Sequence, residues 1–124
     1  MAEYRYSRDH TWASLEQKKV RVGISDLAQA ELGEITFVEL PAVGKGVEKD
    51  TPVCAMDSLK SSSEVYSPVS GKVVEVNPLL PEQPDLINRD PKGKGWLFVL
   101  EIDSVSEYET LMSEEEYLRY IEGI

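Results

Sequence analysis

The sequence predicts a mainly β domain: a small β-sandwich with a few short helices, the last of them near the C-terminal end. Three observations carry this. Apolar and polar residues alternate with period two in one short run after another. The runs are separated by clusters of Gly, Pro, Ser and Asp. Helix-type spacing appears only in brief stretches, each opened by a Ser or Asp three residues ahead of a Gln or Glu. The 124 residues, read as one domain over 1–124, are 41% hydrophobic, which is ordinary for a modest globular core.

The elements follow in order. Tyr4-Arg5-Tyr6 and Trp12-Ala13-Ser14-Leu15 are short strands, Glu16 to Lys19 is a polar turn, and Val20 to Ile24 alternates as a half-buried strand. A helix of about two turns comes next, capped by Ser25 or Asp26 and ended by Gly33. Ile35 to Leu40 returns to strand and stops at Pro41. Two similar halves then flank position 60. Gly44 to Met56 runs turn, Val47, turn, strand, and Glu64 to Val76 runs strand, Pro68, turn, strand, which suits a sandwich with approximate two-fold symmetry. Asn77 to Gly95 reads as loop, and Trp96 to Ile102 as strand. Ser104 with Glu107 and Ser113 with Glu116 have capping-box spacing. In the second helix Tyr117, Leu118 and Ile121 share a face that should pack on the sandwich.

The stretch around which these runs are arranged is Met56 to Pro68. Strand Pro52 to Met56 enters it, strand Glu64 to Tyr66 leaves it, and Lys60 stands at the polar tip between them. A lysine amine in water titrates near ~10.4, so about 0.04% is free base at neutral pH. Such a residue is a poor nucleophile alone. It is a good substrate for an enzyme that brings its own base and an activated acyl group.

Composition excludes several classes of function. With 13 basic and 23 acidic residues the net charge is −10, a field that repels nucleic acid and anionic membranes and favours basic partner surfaces. One histidine, His10, and one cysteine, Cys54, leave no disulfide, no zinc constellation and no nucleophile-base pair with a recognisable motif. Cys54 lies in an apolar run, as a small buried hydrophobe does. Met1 to Arg5 lacks the apolar stretch of a signal peptide, and no segment approaches the ~18 apolar residues that span a bilayer, so the expectation is a cytoplasmic monomer.

Asp57-Ser58-Leu59-Lys60, followed by Glu64-Val65-Tyr66-Ser67-Pro68-Val69-Ser70-Gly71, resembles the lipoylation motif of glycine cleavage system H proteins. Val22-Gly23-Ile24-Ser25-Asp26, Leu32-Gly33-Glu34-Ile35, Phe37 to Pro41, Val73 to Asn77, Leu86-Ile87-Asn88 and Gly95-Trp96-Leu97 agree in order, so the resemblance runs from about Tyr4 to Tyr117. It implies a lipoyl/biotinyl-type barrel-sandwich hybrid and a non-catalytic carrier. Lipoic acid would be attached to Lys60, with Asp57, Ser58, Leu59 and Glu64 forming the modification loop. The implied partners are a lipoate ligase, or an octanoyltransferase with lipoyl synthase, for attachment. Glycine decarboxylase, aminomethyltransferase and dihydrolipoamide dehydrogenase would then use the arm to pass on an aminomethyl group and reducing equivalents.

The sequence departs from the family pattern in places. Asp57 and Leu59 replace Glu and Val, and the family's His-Glu-Trp segment reads His10-Thr11-Trp12. In the family that segment and the short helix border a groove for the loaded arm, so Thr11 and Glu31 are the candidate groove residues here. A hydrogen bond to a charged group is worth roughly 1.5–3 kcal/mol against about 1 for a neutral pair. Thr11 would therefore hold a cationic cargo about tenfold less well than an acid, at ~1.4 kcal/mol per decade, unless Glu31 or Glu64 substitutes. The departures and Cys54 leave a second reading open: an H-like lipoate-binding protein that carries sulfur for a heterodisulfide-reductase-like complex, or a lipoate relay. A biotin carrier fits less well, because Leu59 and Ser61, not methionines, flank the lysine.

Overall fold

The computed structural model describes residues 4–123; the reading of Met1 to Glu3 as free of a signal peptide falls outside them. The chain runs β1 (Tyr4–Tyr6), β2 (Thr11–Glu16), β3 (Lys19–Ile24), α1 (Asp26–Leu32), β4 (Ile35–Glu39), β5 (Gly46–Val47), β6 (Pro52–Ser58), β7 (Ser62–Tyr66), β8 (Gly71–Val76), α2 (Leu86–Arg89), β9 (Phe98–Glu101), α3 (Ser106–Glu109), β10 (Met112–Ser113) and α4 (Glu114–Glu122).

The strands form two sheets, one ordered β10-β1-β2-β3-β9-β8-β5 and one ordered β4-β6-β7, all of them antiparallel. The halves seen in the sequence correspond to β5-β6 and β7-β8. β5 pairs with β8 in the large sheet while β6 pairs with β7 in the small one. The apolar residues of the alternating runs meet between the sheets: Val20, Val22 and Ile24 from β3, Val53 and Met56 from β6, Val65 from β7, and Phe98 and Leu100 from β9. Each alternate side chain removed from water contributes about 1.5–3 kcal/mol, which fixes the register of the pairing. A second cluster of Tyr6, Trp12 and Tyr117, with Tyr6 stacked on Tyr117 at 4.4 Å, seats α4 against β1 and β2.

Several local expectations need correction. The stretch Asn77 to Gly95 is not all loop, since Leu86–Arg89 forms the turn of helix α2 and buries Leu86 and Ile87. Ser104 does not cap a helix: its hydroxyl accepts from Ser106 N in a local turn, and Glu107 instead accepts from Ser70 N and Oγ. Ser113 and Glu116 do form a reciprocal capping box at α4. Leu118 is 51% exposed, and Tyr120 packs with Tyr117 and Ile121 in its place.

Candidate functional site

Lys60 sits at the end of the β6-β7 hairpin, with Leu59 at the two central places of the turn Ser58 to Ser61. Neither has positive φ, so no glycine is required. Asp57 pairs with Ser62 across the strands, and their side chains hydrogen bond at 2.7 Å. Ser58 organises the turn. Its N–H donates to the Ser61 carbonyl at 2.8 Å, and its hydroxyl oxygen accepts from Lys60 N at 3.2 Å and Ser61 N at 3.1 Å. Short Ser side chains readily offer the backbone such bonds.

The tip is also tied to the helix. Leu59 N donates to the Glu34 carbonyl at 3.1 Å, directly after the end of α1. That helix starts at Ser25, whose hydroxyl accepts from Ala28 N; Asp26 instead accepts from the Gln29 side chain. It ends at Gly33 with φ 81, a left-handed value that a side chain would strain. The Lys60 stem lies over this glycine, and a Cβ there would come within 3.3 Å of Lys60 Cε. The turn of the backbone thus requires glycine, while the exposed lysine stem could yield the few tenths of an ångström that a Cβ would need. Lys60 is exposed and has no ion pair among the described residues.

Asn88, on α2, is a contributor that sequence reasoning missed as a site residue. Its Oδ1 accepts from Ile35 N at 2.9 Å, and its Nδ2 donates to the Gly33 carbonyl at 2.7 Å and to Gln29 Oε1 at 3.0 Å. It thereby holds the residues on either side of Glu34. Its presence in the resembling block Leu86-Ile87-Asn88 was the one available signal.

Asp57, Ser58, Leu59, Lys60 and Glu64 are thus gathered in one hairpin. Thr11 lies at the start of β2, 1% exposed, its hydroxyl engaged with that of Ser7. Glu31 is exposed on α1. Burial raises the pKa of Tyr117, opposed by its bond to Ser25 and reinforced by the nearby Glu31 charge. The Tyr117 hydroxyl lies 2.8 Å from both Ser25 Oγ and His10 Nδ1, which links α4 to the start of α1. Cys54 is 4% exposed; burial, with the Glu39 charge as a smaller cause, pushes its thiol up to about 12. Among the described residues no helix is long and apolar enough to cross a membrane.

Lys60 thus stands exposed on a braced hairpin that joins the β5-β6 half to the β7-β8 half. The family model for the glycine cleavage H-protein matches residues 4–124. The chain belongs to the glycine cleavage H-protein family. It is 53% identical to the glycine cleavage system H protein of Coprothermobacter proteolyticus, over 94% of this chain and 93% of that one. It is 50% identical to that of Halalkalibacterium halodurans, over 96% and 93%. A glycine cleavage system H protein crystal structure from Mycobacterium marinum superposes with a TM-score of 0.88 at 33% identity, over 98% of both chains.

Proposed function

We propose that Lys60 is the lipoyl attachment residue of a single carrier domain. As its family membership implies, the chain is a non-catalytic lipoyl-carrier protein of the glycine cleavage system. The observation that carries the assignment of Lys60 is geometric: its amine is exposed and unpaired among the described residues, on a turn whose backbone is held from both sides. These residues fit the group. Attachment forms an amide between Nζ and an activated acyl carbon and breaks the acyl bond to its leaving group, while the nitrogen gives up two protons, one as the ammonium becomes free amine and one as the amide forms. It exchanges a charged amine for a long neutral arm, and an exposed lysine outside any salt bridge loses nothing by that exchange.

When bound, the dithiolane supplies a disulfide–dithiol couple that accepts an aminomethyl group with two electrons and gives both up again. The chain does the rest. Ser58 and Glu34 fix the point of attachment, Gly33 leaves the stem its path, and the tether keeps the reactive end at high effective concentration for whichever partner is docked. The partners are a lipoate-attaching enzyme, glycine decarboxylase, aminomethyltransferase and dihydrolipoamide dehydrogenase, met in the cytoplasm by a monomer. No specific observation favours the sulfur-carrying reading, since Cys54 is buried with a raised pKa and the Thr11 hydroxyl is engaged with Ser7.

Intact mass of protein lipoylated in vitro should show one added group, lost in Lys60→Ala. The lipoylated chain with a glycine decarboxylase should support glycine-dependent exchange of labelled bicarbonate. Full lipoylation without exchange would overturn the glycine cleavage role, and modification surviving in Lys60→Ala would overturn the site.

A further inference from the structure

The small sheet carries an aromatic side chain on its solvent face. β4 pairs with β6 through Ile35↔Ser58 and then Phe37↔Asp57, so Thr36 is an extra residue in the ladder. Simple alternation from buried Ile35 would send Phe37 inward; the bulge turns it out and returns Val38 to the core. The Thr36 hydroxyl donates to the Asp57 carbonyl at 3.2 Å and holds the bulge against β6. Phe37 ends 55% exposed, in the same cross-strand row as Asp57 and Ser62.

The charged residues around Phe37 are mostly acidic. Two residues along the strands, the row on the same face holds Glu39, Ala55 and Glu64, and Glu34 precedes the strand. Leu59, 74% exposed, stands at the tip, and Lys60 is the sole cation from Ile35 to Glu39 and from Pro52 to Tyr66. A large exposed ring beside a modification site, ringed by acid, has the composition of a binding anchor with a polar rim.

We infer that this face, with Phe37 as its anchor, is where the enzyme that acylates Lys60 docks, through an apolar socket bordered by basic residues. The inference rests on the proposal that Lys60 is the attachment site. Reach favours this occupant. An acylating enzyme must bring its catalytic centre to Nζ itself, and so must cover the hairpin within a residue or two of Lys60. Enzymes that use the finished arm meet its far end. Charge favours it too, because an enzyme that holds an acyl-phosphate mixed anhydride has a cationic site, which the acidic face complements.

The test compares wild type, Phe37→Ala and Phe37→Leu in acylation by a purified lipoate–protein ligase supplied with ATP and octanoate, followed by intact mass. Phe37→Ala should lower kcat/KM at least tenfold, mostly through KM, and Phe37→Leu should recover part of the loss. Melting temperatures should stay within a few degrees, because the ring is more than half exposed. The wild-type rate should fall with added salt, and less so in Glu39→Gln. Unchanged acylation of Phe37→Ala would overturn the inference. So would normal acylation with impaired bicarbonate exchange, which would assign the face to an enzyme that uses the arm. Failure of the wild-type chain to be acylated at Lys60 would sink the attachment proposal instead, a result distinct from either.

Discussion

Replacing Asn88 by Ala should loosen the attachment turn without touching it. The side chain satisfies Ile35 N and the Gly33 carbonyl, the groups on either side of Glu34, and the Glu34 carbonyl in turn receives Leu59 N. Ile35 is 1% exposed, so water cannot readily replace the lost acceptor. A buried polar group left without its partner costs about 1–3 kcal/mol, and two such groups give roughly 2–6 kcal/mol for Asn88→Ala. For a chain of this size each kcal/mol lowers Tm by about 4 °C, which places the expected fall at roughly 8–24 °C. Asn88→Asp keeps the acceptor for Ile35 N but loses both amide donors, and should fall between. Calorimetry gives the first number, and hydrogen exchange of the Leu59 and Ile35 amides by NMR gives the second, with both amides exchanging faster in the variant. A Tm within about 3 °C of wild type, or unchanged exchange at Leu59, would refute the claim that α2 braces the turn through Glu34.

Two predictions concern protons. The Cys54 thiol, raised by burial to about 12 from an ordinary value of 9, favours the fold below pH 9, and that contribution is lost as pH rises toward 12. At pH 8 the folded protein should hold roughly 1,000-fold less thiolate than the unfolded chain, so a disulfide-exchange reagent should label it only in denaturant; equal rates in both would show the thiol accessible. The Glu116 carboxyl is lowered, first by its bond from the Ser113 backbone, then by the Ser113 side chain and less by Arg119. Its stabilisation of α4 is therefore complete above its ordinary value of 4.5 and is lost as pH falls through the lowered one. Melting temperatures between pH 3 and 7 should show a shallower acid limb in Glu116→Gln than in wild type, and parallel limbs would remove the carboxylate from that role.

What was legible in the sequence was whatever depends on near neighbours. Ser25 and Gly33 bound α1 because capping and left-handed φ are written in single residues, and the hairpin around Lys60 declares itself through alternation on both sides of a polar tip. Ser104 misled because a capping box needs extended backbone at the cap and a free Glu; Val105 is helical there, and Glu107 finds a better donor 37 residues away in Ser70. Phe37 could not be placed without knowing which strand β4 pairs with, since the bulge is a property of the pair. Asn88 is the same case in side-chain form: its partners are 53, 55 and 59 residues distant, and nothing within α2 announces them.

The turn also shows how one short stretch can hold its backbone firmly while leaving a side chain exposed. The backbone N–H groups of Ser58, Leu59, Lys60 and Ser61 all have acceptors, from Ser61, Glu34 and the Ser58 hydroxyl. The Lys60 amine has none among the described residues, and its stem crosses a glycine. Ordering a residue's backbone costs about 1–2 kcal/mol, and here bonds that use no charged side chain offset that cost. The lysine charge therefore forms no ion pair among the described residues. Its removal by acylation should leave the fold as stable as before, so that attachment energy need not be spent against the carrier. A hairpin held instead by a Lys60 salt bridge would weaken each time it was loaded.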